Sequence, residues 1–249
     1  MVDGRLLPIF TQCHGEGEGL RADIAGRGTF GVNDLPKIIV RVPMDAHIEA
    51  RGHIVIGSVG RTRSLDLASG GCGAWTVANV EQGLMLHQSG VGQVHAGTAS
   101  AADITLSGTG SVRTGAVTHE LRAAVSGAGS IAAPSAGTGD FHVSGAGSVQ
   151  VGEVAGGVDA RISGTGGVTL AKVTGPLSAR VSGVGSVRAK GGEVTQLNAD
   201  VSGTGSVDFG GRAQNLEANV SGVGGVRVAQ VTGQISKHVS GVGRVEVGP

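Results

Sequence analysis

Two aspartates and a histidine are the residues of this sequence whose spacing most suggests chemistry. Asp140 and His142 lie two positions apart, and Asp159 follows Asp140 by 19 positions. If the chain repeats with that period, the two carboxylates lie about 5 Å apart in adjacent parallel strands. Retaining glycosidases use paired carboxylates at this separation. A polysaccharide-active enzyme is therefore one function to test.

At the same repeat spacing, arginines lie next to the two aspartates. They favour a simpler interpretation than catalysis. Acids that alternate with arginines are typical of a solvated sheet face whose charges compensate. The sequence predicts no pocket walls, aromatic platform or lid around the group, so we expect no catalytic residue in it. The residues that could still form a weak binding patch are Arg122, Asp140, His142, Asp159, Arg161 and Arg180.

Other signatures of catalysis or metal binding are missing from the sequence. It contains no nucleophile elbow, H-E-x-x-H helix, Walker loop or EF-hand loop. His87, His142 and His238 share one outward column of the repeat, but several coils separate them, which is too far for one metal ion. The repeated Gly-x-Gly units open no helix and so predict no phosphate site. We expect no metal and no cofactor.

An internal repeat positions these residues. The hexapeptide Ser-Gly-x-Gly-x-Val/Ile occurs nine times at intervals of 18 to 20 residues, and a degenerate copy begins at Ser69. Such a period indicates a solenoid, in which each coil buries its apolar face against the next. The nine serines are Ser89, Ser107, Ser126, Ser144, Ser163, Ser182, Ser202, Ser221 and Ser240.

Apolar and polar residues alternate around each serine, as in strands with one buried face. Each coil supplies two or three short strands, the serine hydroxyls can bond from coil to coil, and the motif glycines allow positive φ or a tight corner. One hexapeptide per coil of drifting length favours a single-stranded right-handed parallel β-helix over the left-handed form. One inward column combines a large member with alanines: Ile104, Ala123, Phe141, Ala160, Ala179, Ala199 and Ala218.

The first 45 residues do not fit the repeat. We assign residues 1–45 to an N-terminal capping segment and residues 46–249 to the β-helix, because the terminal coils of solenoids need covering. Within the cap, residues 21–32 suggest a strand pair, and residues 38–42 suggest a strand that Pro43 stops.

Composition excludes several classes of function. The 19 lysines and arginines balance 19 aspartates and glutamates, so nothing attracts nucleic acid or an anionic membrane surface. No apolar run is long enough to span a membrane, and no signal peptide is present in this chain. Aromatic residues make up 2% of the chain, which disfavours a large carbohydrate cleft.

On these motifs the chain resembles the head GIN domain family, the autotransporter-adhesin proteins of bacterial envelopes. The likeness covers about residues 38–249 and rests on the Ser-Gly-x-Gly copies, their Leu-x-Ala-x-Val lead-in strands and Val40-Arg41-Val42-Pro43. It implies a parallel β-helix that is exported to the periplasm, outer-membrane surface or exterior, without established catalysis. The family often places Asp or Asn after the second glycine. Here those positions hold Gln, Ser, Gly or Arg, so an acidic ladder for cations is absent.

Two further residue assignments follow. Cys13 and Cys72 are the two cysteines, and their number permits one disulfide or two free thiols. The exported character of the family leads us to predict that they are bonded. Lys237 replaces alanine in the inward column of the final coil, where we expect its ammonium to reach water and to block end-to-end pairing.

The sequence leaves three functions open. The first is a non-enzymatic envelope or cell-surface β-solenoid with an adhesion, binding or scaffold role, acting on an unknown partner as a monomer or small homo-oligomer. The second is the polysaccharide-active enzyme, and the third is a self-assembling scaffold like the bactofilins.

Overall fold

The computed structural model describes the backbone of residues 10–16, 19–24, 28–30 and 54, and both backbone and side chains of residues 41–50 and 55–248. Every regular element among them is a β-strand, and parallel strands stack about 19 residues apart in a β-solenoid of about ten coils. The all-β solenoid fold is thereby confirmed. The right-handed winding stays a prediction.

Two parallel faces share the strands of the solenoid. The first face carries the strands that precede each motif: β4 (Asp45–Ala50), β6 (Ser64–Ser69), β8 (Gly83–Gln88), β10 (Ala101–Leu106), β12 (Glu120–Val125), β14 (Thr138–Val143), β16 (Val158–Ile162), β18 (Leu177–Val181), β20 (Gly192–Val201) and β23 (Ile235–Val239). The second face carries those that follow it: β5 (Ile54–Val59), β7 (Cys72–Val77), β9 (Val91–Ala96), β11 (Thr109–Arg113), β13 (Ser130–Ala136), β15 (Ser148–Val154), β17 (Gly167–Thr174), β19 (Ser186–Ala189), β22 (Gly225–Val231) and β24 (Arg244–Val247). One long strand, β21 (Ser206–Val220), runs across both.

A third, shorter face closes each coil between the second face and the next first-face strand. Glu153 pairs in parallel with Lys172, and Glu193 pairs with Arg212. In the earlier coils isolated bridges take this place, such as Ala99 with Val117. The two or three strands expected per coil are confirmed.

The interior of the solenoid is an apolar core, in which inward-facing side chains of successive coils stack in columns. In the predicted column Phe141 lies between Ala123 and Ala160 in the adjacent strands, and all three are buried. A Cβ atom on Gly139 would lie 2.4 Å from Phe141 Cζ, so the phenyl ring occupies the space that side chains fill elsewhere.

The first glycine of each motif is required by close approach between coils. A Cβ atom on Gly164 would lie 2.1 Å from the carbonyl oxygen of Gly145, and the same contact recurs along the stack. Among the described residues the motif glycines of the nine copies do not have positive φ; Gly175 and Gly192, at turns elsewhere in the coil, do. The positive-φ expectation was therefore wrong for the motif, and the tight corner was right.

The degenerate copy at Ser69 is out of register with the others. Ser69 pairs with Gln88, whereas Ser89 lies beside Gly70. Ser69 is buried and accepts a hydrogen bond from Trp75 Nε1 at 3.1 Å, so this serine faces the core and not the corner. The neighbouring Gln88 is buried in the same column.

The N-terminal segment contributes a separate antiparallel sheet. β1 (Phe10–Glu16) pairs with β2 (Gly19–Ile24), which pairs with β3 (Gly28–Phe30). The strand pair expected in residues 21–32 is confirmed. The strand expected at 38–42 is not formed at Arg41 and Val42, and residues 38–40 lie outside the described residues. The capping role of residues 1–45 stays a prediction.

Candidate functional site

The predicted binding patch lies on the outer surface of the first face, in the coils of β12 to β18. Alternation along each strand turns Asp140 and Asp159 outward in one column and His142 and Arg161 outward in the next. Arg180 continues the second column. The register that the 19-residue spacing predicted is the register of the structure.

Arg161 holds the two aspartates together. Its guanidinium contacts Asp140 Oδ1 at 3.3 Å through Nη1 and Asp159 Oδ2 through Nη2. Arg180 Nη1 lies 3.3 Å from Asp159 Oδ1, and Arg180 Nε lies 3.7 Å from Asp200 Oδ2. The result is one continuous chain of alternating acid and base across four coils.

The other two members of the patch do not join this network. Arg122 is next to Asp140 by register, but its Nε donates to Glu120 Oε1 at 3.0 Å within its own strand. His142 is exposed, and within the described residues it makes no hydrogen bond or ion pair. A histidine that orients or exchanges protons with a carboxylate is therefore not part of the arrangement.

The geometry is poorly arranged for glycoside cleavage. A glycosidic oxygen must lie between the acid and the nucleophile, and here the Arg161 guanidinium occupies the place between Asp140 and Asp159. A shallow depression of about 360 Å³ lies beside them, lined also by Gln196 and Asn198. Water has access to the four charged side chains of the network, which are between 33% and 51% exposed: Asp140, Asp159, Arg161 and Arg180.

Two similar charge ladders occur on the other faces. On the second face Arg188, Asp208, Arg227 and Glu246 alternate in sign from coil to coil, with the closest N–O approaches between 3.1 and 4.0 Å. The hydrogen bond from Arg227 lowers the pKa of Glu246 below its ordinary value. This ladder was not among the predictions from the sequence, although opposite charges at repeat spacing indicate it.

The third face also carries ion pairs between neighbouring coils. Lys172 Nζ lies 2.8 Å from Glu153 Oε1, and Arg212 Nη1 lies 3.2 Å from Glu193 Oε1. The hydrogen bond to Glu153 raises the pKa of Lys172 above its ordinary value. The Asp140–Arg161–Asp159 group is thus one instance of a general device that joins neighbouring coils through opposite charges.

The first coils hold a second polar group that the sequence analysis did not identify. His47 Nδ1 lies 2.8 Å from Asp66 Oδ2, and Asp45 accepts hydrogen bonds from Arg63 and Ser64. Asp45 and Ser64 are partners in adjacent strands, so the 19-residue spacing could have indicated this contact.

Three of the nine motif serines bond from coil to coil through backbone oxygens. The hydroxyls of Ser89, Ser107 and Ser182 each donate to the carbonyl of the residue that ends the preceding first-face strand, at 3.4 to 3.5 Å. The predicted serine ladder is therefore formed in part, by links from hydroxyl to main chain at these three serines.

Two structural findings bear on metal and membrane. In the described part of the chain, no three His, Cys, Asp or Glu side chains come together in a group that could hold a metal ion. No helix within those same residues has the length and hydropathy needed to cross a bilayer.

Cys72 begins β7 and is disulfide-bonded. Cys13 lies in β1, and its side chain is outside the described residues, so the pairing of Cys13 with Cys72 stays a prediction. We expect alkylation of the unreduced, denatured protein to add no label by intact-mass measurement, and alkylation after reduction to add two. Two labels before reduction would contradict the bond and would weaken the assignment to an oxidising compartment.

Comparison of the chain with protein-family models, with curated proteins and with solved structures finds no match. The resemblance to the head GIN domain family therefore rests on the motifs in the sequence.

Proposed function

We propose that this chain is a non-enzymatic β-solenoid of the bacterial envelope or cell surface, with an adhesion, binding or scaffold role. The observation that carries the proposal is that the candidate catalytic acids belong to a structural charge ladder. Arg161 bridges Asp140 and Asp159 as Arg227 bridges Asp208 and Glu246 on the second face. Export and the envelope location are supported by the motif resemblance.

A polysaccharide cleavage assay distinguishes the enzymatic alternative from this proposal. We expect the wild-type protein, incubated with a panel of bacterial and plant polysaccharides, to release no new reducing ends or unsaturated products. Asp140→Asn should behave identically, with a change in the free energy of unfolding below about 1 kcal/mol because the ion pair of Asp140 with Arg161 is exposed. Arg188→Gln is the matched control, since it breaks an equivalent ladder on the second face.

Turnover by the wild type that Asp140→Asn abolishes and Arg188→Gln leaves intact would contradict the proposal. It would place the polysaccharide-active enzyme first, with Asp140 as a catalytic residue beside the shallow depression.

The filament-forming alternative depends on the end of the solenoid. In the last described first-face strand, Lys237 pairs with Ala218 and so occupies the inward column, while Ile235 and Val239 on either side are 47% and 42% exposed. Lys237 is exposed, and its Nζ lies 3.4 Å from the carbonyl oxygen of Val245. The ammonium thus covers a backbone acceptor of the open edge, where inward-pointing charge opposes edge-to-edge pairing.

We expect wild-type protein to form no long polymers in sedimentation velocity, and Lys237→Ala to associate through the exposed end. Lys237→Arg is the control, because it keeps the cation and should remain like the wild type. Wild-type filaments that Lys237→Ala does not change would contradict the stop function of Lys237 and would favour the bactofilin-like scaffold.

A further inference from the structure

One corner of the solenoid carries an exposed, uncharged ridge along its length. The ridge consists of the side chains that lie between the two glycines of each motif, and all nine are exposed. Because the flanking glycines have no side chains, each of these residues stands out from the corner. In chain order they are Val91, Thr109, Ala128, Ala146, Thr165, Val184, Thr204, Val223 and Val242.

The ridge carries the three most exposed large apolar side chains in the described part of the chain. Val184, Val223 and Val242 are 64%, 63% and 80% exposed, more than any other large apolar residue there, and Val91 is 51% exposed. None of the nine motif copies has a charged residue among its Ser-Gly-x-Gly positions, whereas all three strand faces carry ion pairs. Natural β-proteins use charge to keep exposed surfaces apart, and contiguous apolar surface without it marks an interaction site.

We propose that this ridge binds the same ridge of a second copy of the chain, forming an antiparallel, two-fold symmetric dimer. The repeat of the ridge is the spacing of parallel strands, about 4.8 Å, so a partner that matches it over nine coils must have the same period. A second copy supplies that period and the same chemistry, and a two-fold contact uses one patch on both subunits. Valine methyls of one copy then pack between the ridge side chains of the other.

The area is sufficient for a stable pair. Nine coils give a strip about 43 Å long, and a width of four residues gives about 13 Å. The contact would cover about 550 Å² on each copy and about 1,100 Å² in total, which exceeds the roughly 1,000 Å² expected of a specific interface. This inference does not depend on the envelope role, since the pair can form whether or not the chain binds a surface partner.

The test is sedimentation velocity over a concentration series from 1 to about 100 µM, with Kd in the micromolar range expected. Val184→Asp/Val223→Asp should weaken association at least tenfold, because each copy then buries two unpaired charges in the contact, four in total. Met85→Asp is the matched control: Met85 is 44% exposed on the first face, away from the ridge. Association of the wild type should persist in 1 M salt, since no ion pair holds the ridge contact.

The register is tested separately by cross-linking. Thr165 is the fifth of the nine ridge residues, so a two-fold axis passes beside it and a short bis-maleimide should join two copies of Thr165→Cys. Val242→Cys should not be joined, because Val242 faces Val91 of the other copy in this arrangement. A wild type that is monomeric throughout the series, a dimer insensitive to the double aspartate variant, or equal cross-linking of both cysteine variants would each overturn the proposal.

Discussion

Phe141→Ala is expected to lower the free energy of unfolding by about 3–5 kcal/mol, the usual cost of emptying a large aromatic site in a core. Phe141 is fully buried, and its neighbours in the column, Ala123 and Ala160, are too small to fill the space. Gly139 lies under the ring and contributes no side chain. The loss should be measured by urea unfolding followed by circular dichroism.

A second substitution should recover most of this loss. Gly139 lies in the column that holds Leu121 in the preceding strand and Val158 in the following one. Gly139→Leu alone should destabilise, since its Cβ would lie 2.4 Å from Phe141 Cζ. In Phe141→Ala/Gly139→Leu the leucine enters the vacated space, and the coil then resembles its neighbours, so we expect at least half of the stability to return.

Phe209 provides the control for this exchange. A Cβ atom on Gly211 would lie 2.7 Å from Phe209 Cζ, but it would also lie 2.3 Å from the carbonyl oxygen of Gly192. Removing the ring therefore leaves a backbone clash in place, and Phe209→Ala/Gly211→Leu should be less stable than Phe209→Ala. If the Phe141 pair shows no recovery, or the Phe209 pair recovers equally, volume exchange between neighbours does not explain the core.

Gly164→Ala should destabilise the stack by about 3 kcal/mol, at the upper end of the cost of overpacking. The added methyl would lie 2.1 Å from the carbonyl oxygen of Gly145 and 2.6 Å from that of Ser144. These are backbone atoms held by coil-to-coil hydrogen bonds such as Thr165 N to Gly145 O at 3.1 Å, so the methyl cannot be accommodated by turning a side chain. Thermal and urea unfolding should both report the loss.

Gly191→Ala is the matched control. A Cβ atom at Gly191 meets no atom within 4 Å, and its φ is not in the left-handed region. The substitution should change the free energy of unfolding by less than about 0.5 kcal/mol, or raise it slightly because alanine lowers the conformational entropy of the unfolded chain. Equal losses from Gly164→Ala and Gly191→Ala would mean that the motif glycines serve chain flexibility and not close approach.

Much of this architecture is predictable from the sequence because a solenoid converts spacing directly into neighbourhood. Residues 18 to 20 positions apart become partners in adjacent strands, so the column of Phe141 and the pairing of Asp140 with Asp159 follow from the repeat alone. Alternation then decides which side chains face the core. The same two rules identify the position of Lys237 in the last described coil.

The errors arise where local chemistry overrides the repeat. Ser69 resembles a motif serine by its following glycines, yet Trp75 donates its indole hydrogen to the Ser69 hydroxyl inside the core. Gly71 has a φ of 76°, and the strands on both sides of it keep a spacing of 19 residues to the next coil, which places Gly70 and not Ser69 beside Ser89. No periodic pattern specifies such a hydrogen bond between unlike residues, so one sequence could not reveal it.

The contacts within the candidate site are predictable from the sequence only in part. Column membership brings Asp140, Asp159 and Arg161 together, but it does not say how the guanidinium is directed. Arg161 contacts Asp140 in the preceding coil and Asp159 in its own strand, which agrees with the charge-compensated sheet face favoured by the sequence. Similar ladders on the second and third faces make the structural role the simpler account.

The stacking register is the central claim, and one distance measures it. Spin labels introduced as unnatural amino acids at Ser126 and Ser221 leave both cysteines intact and lie in one corner column, five coils apart by the serine spacing. When doubly labelled protein is diluted in excess unlabelled protein, so that only distances within one chain are recorded, parallel stacking predicts a narrow distribution of electron–electron distances centred near about 24 Å, five times the strand spacing. A broad distribution, or a centre beyond about 35 Å, would contradict a continuous solenoid in the register described.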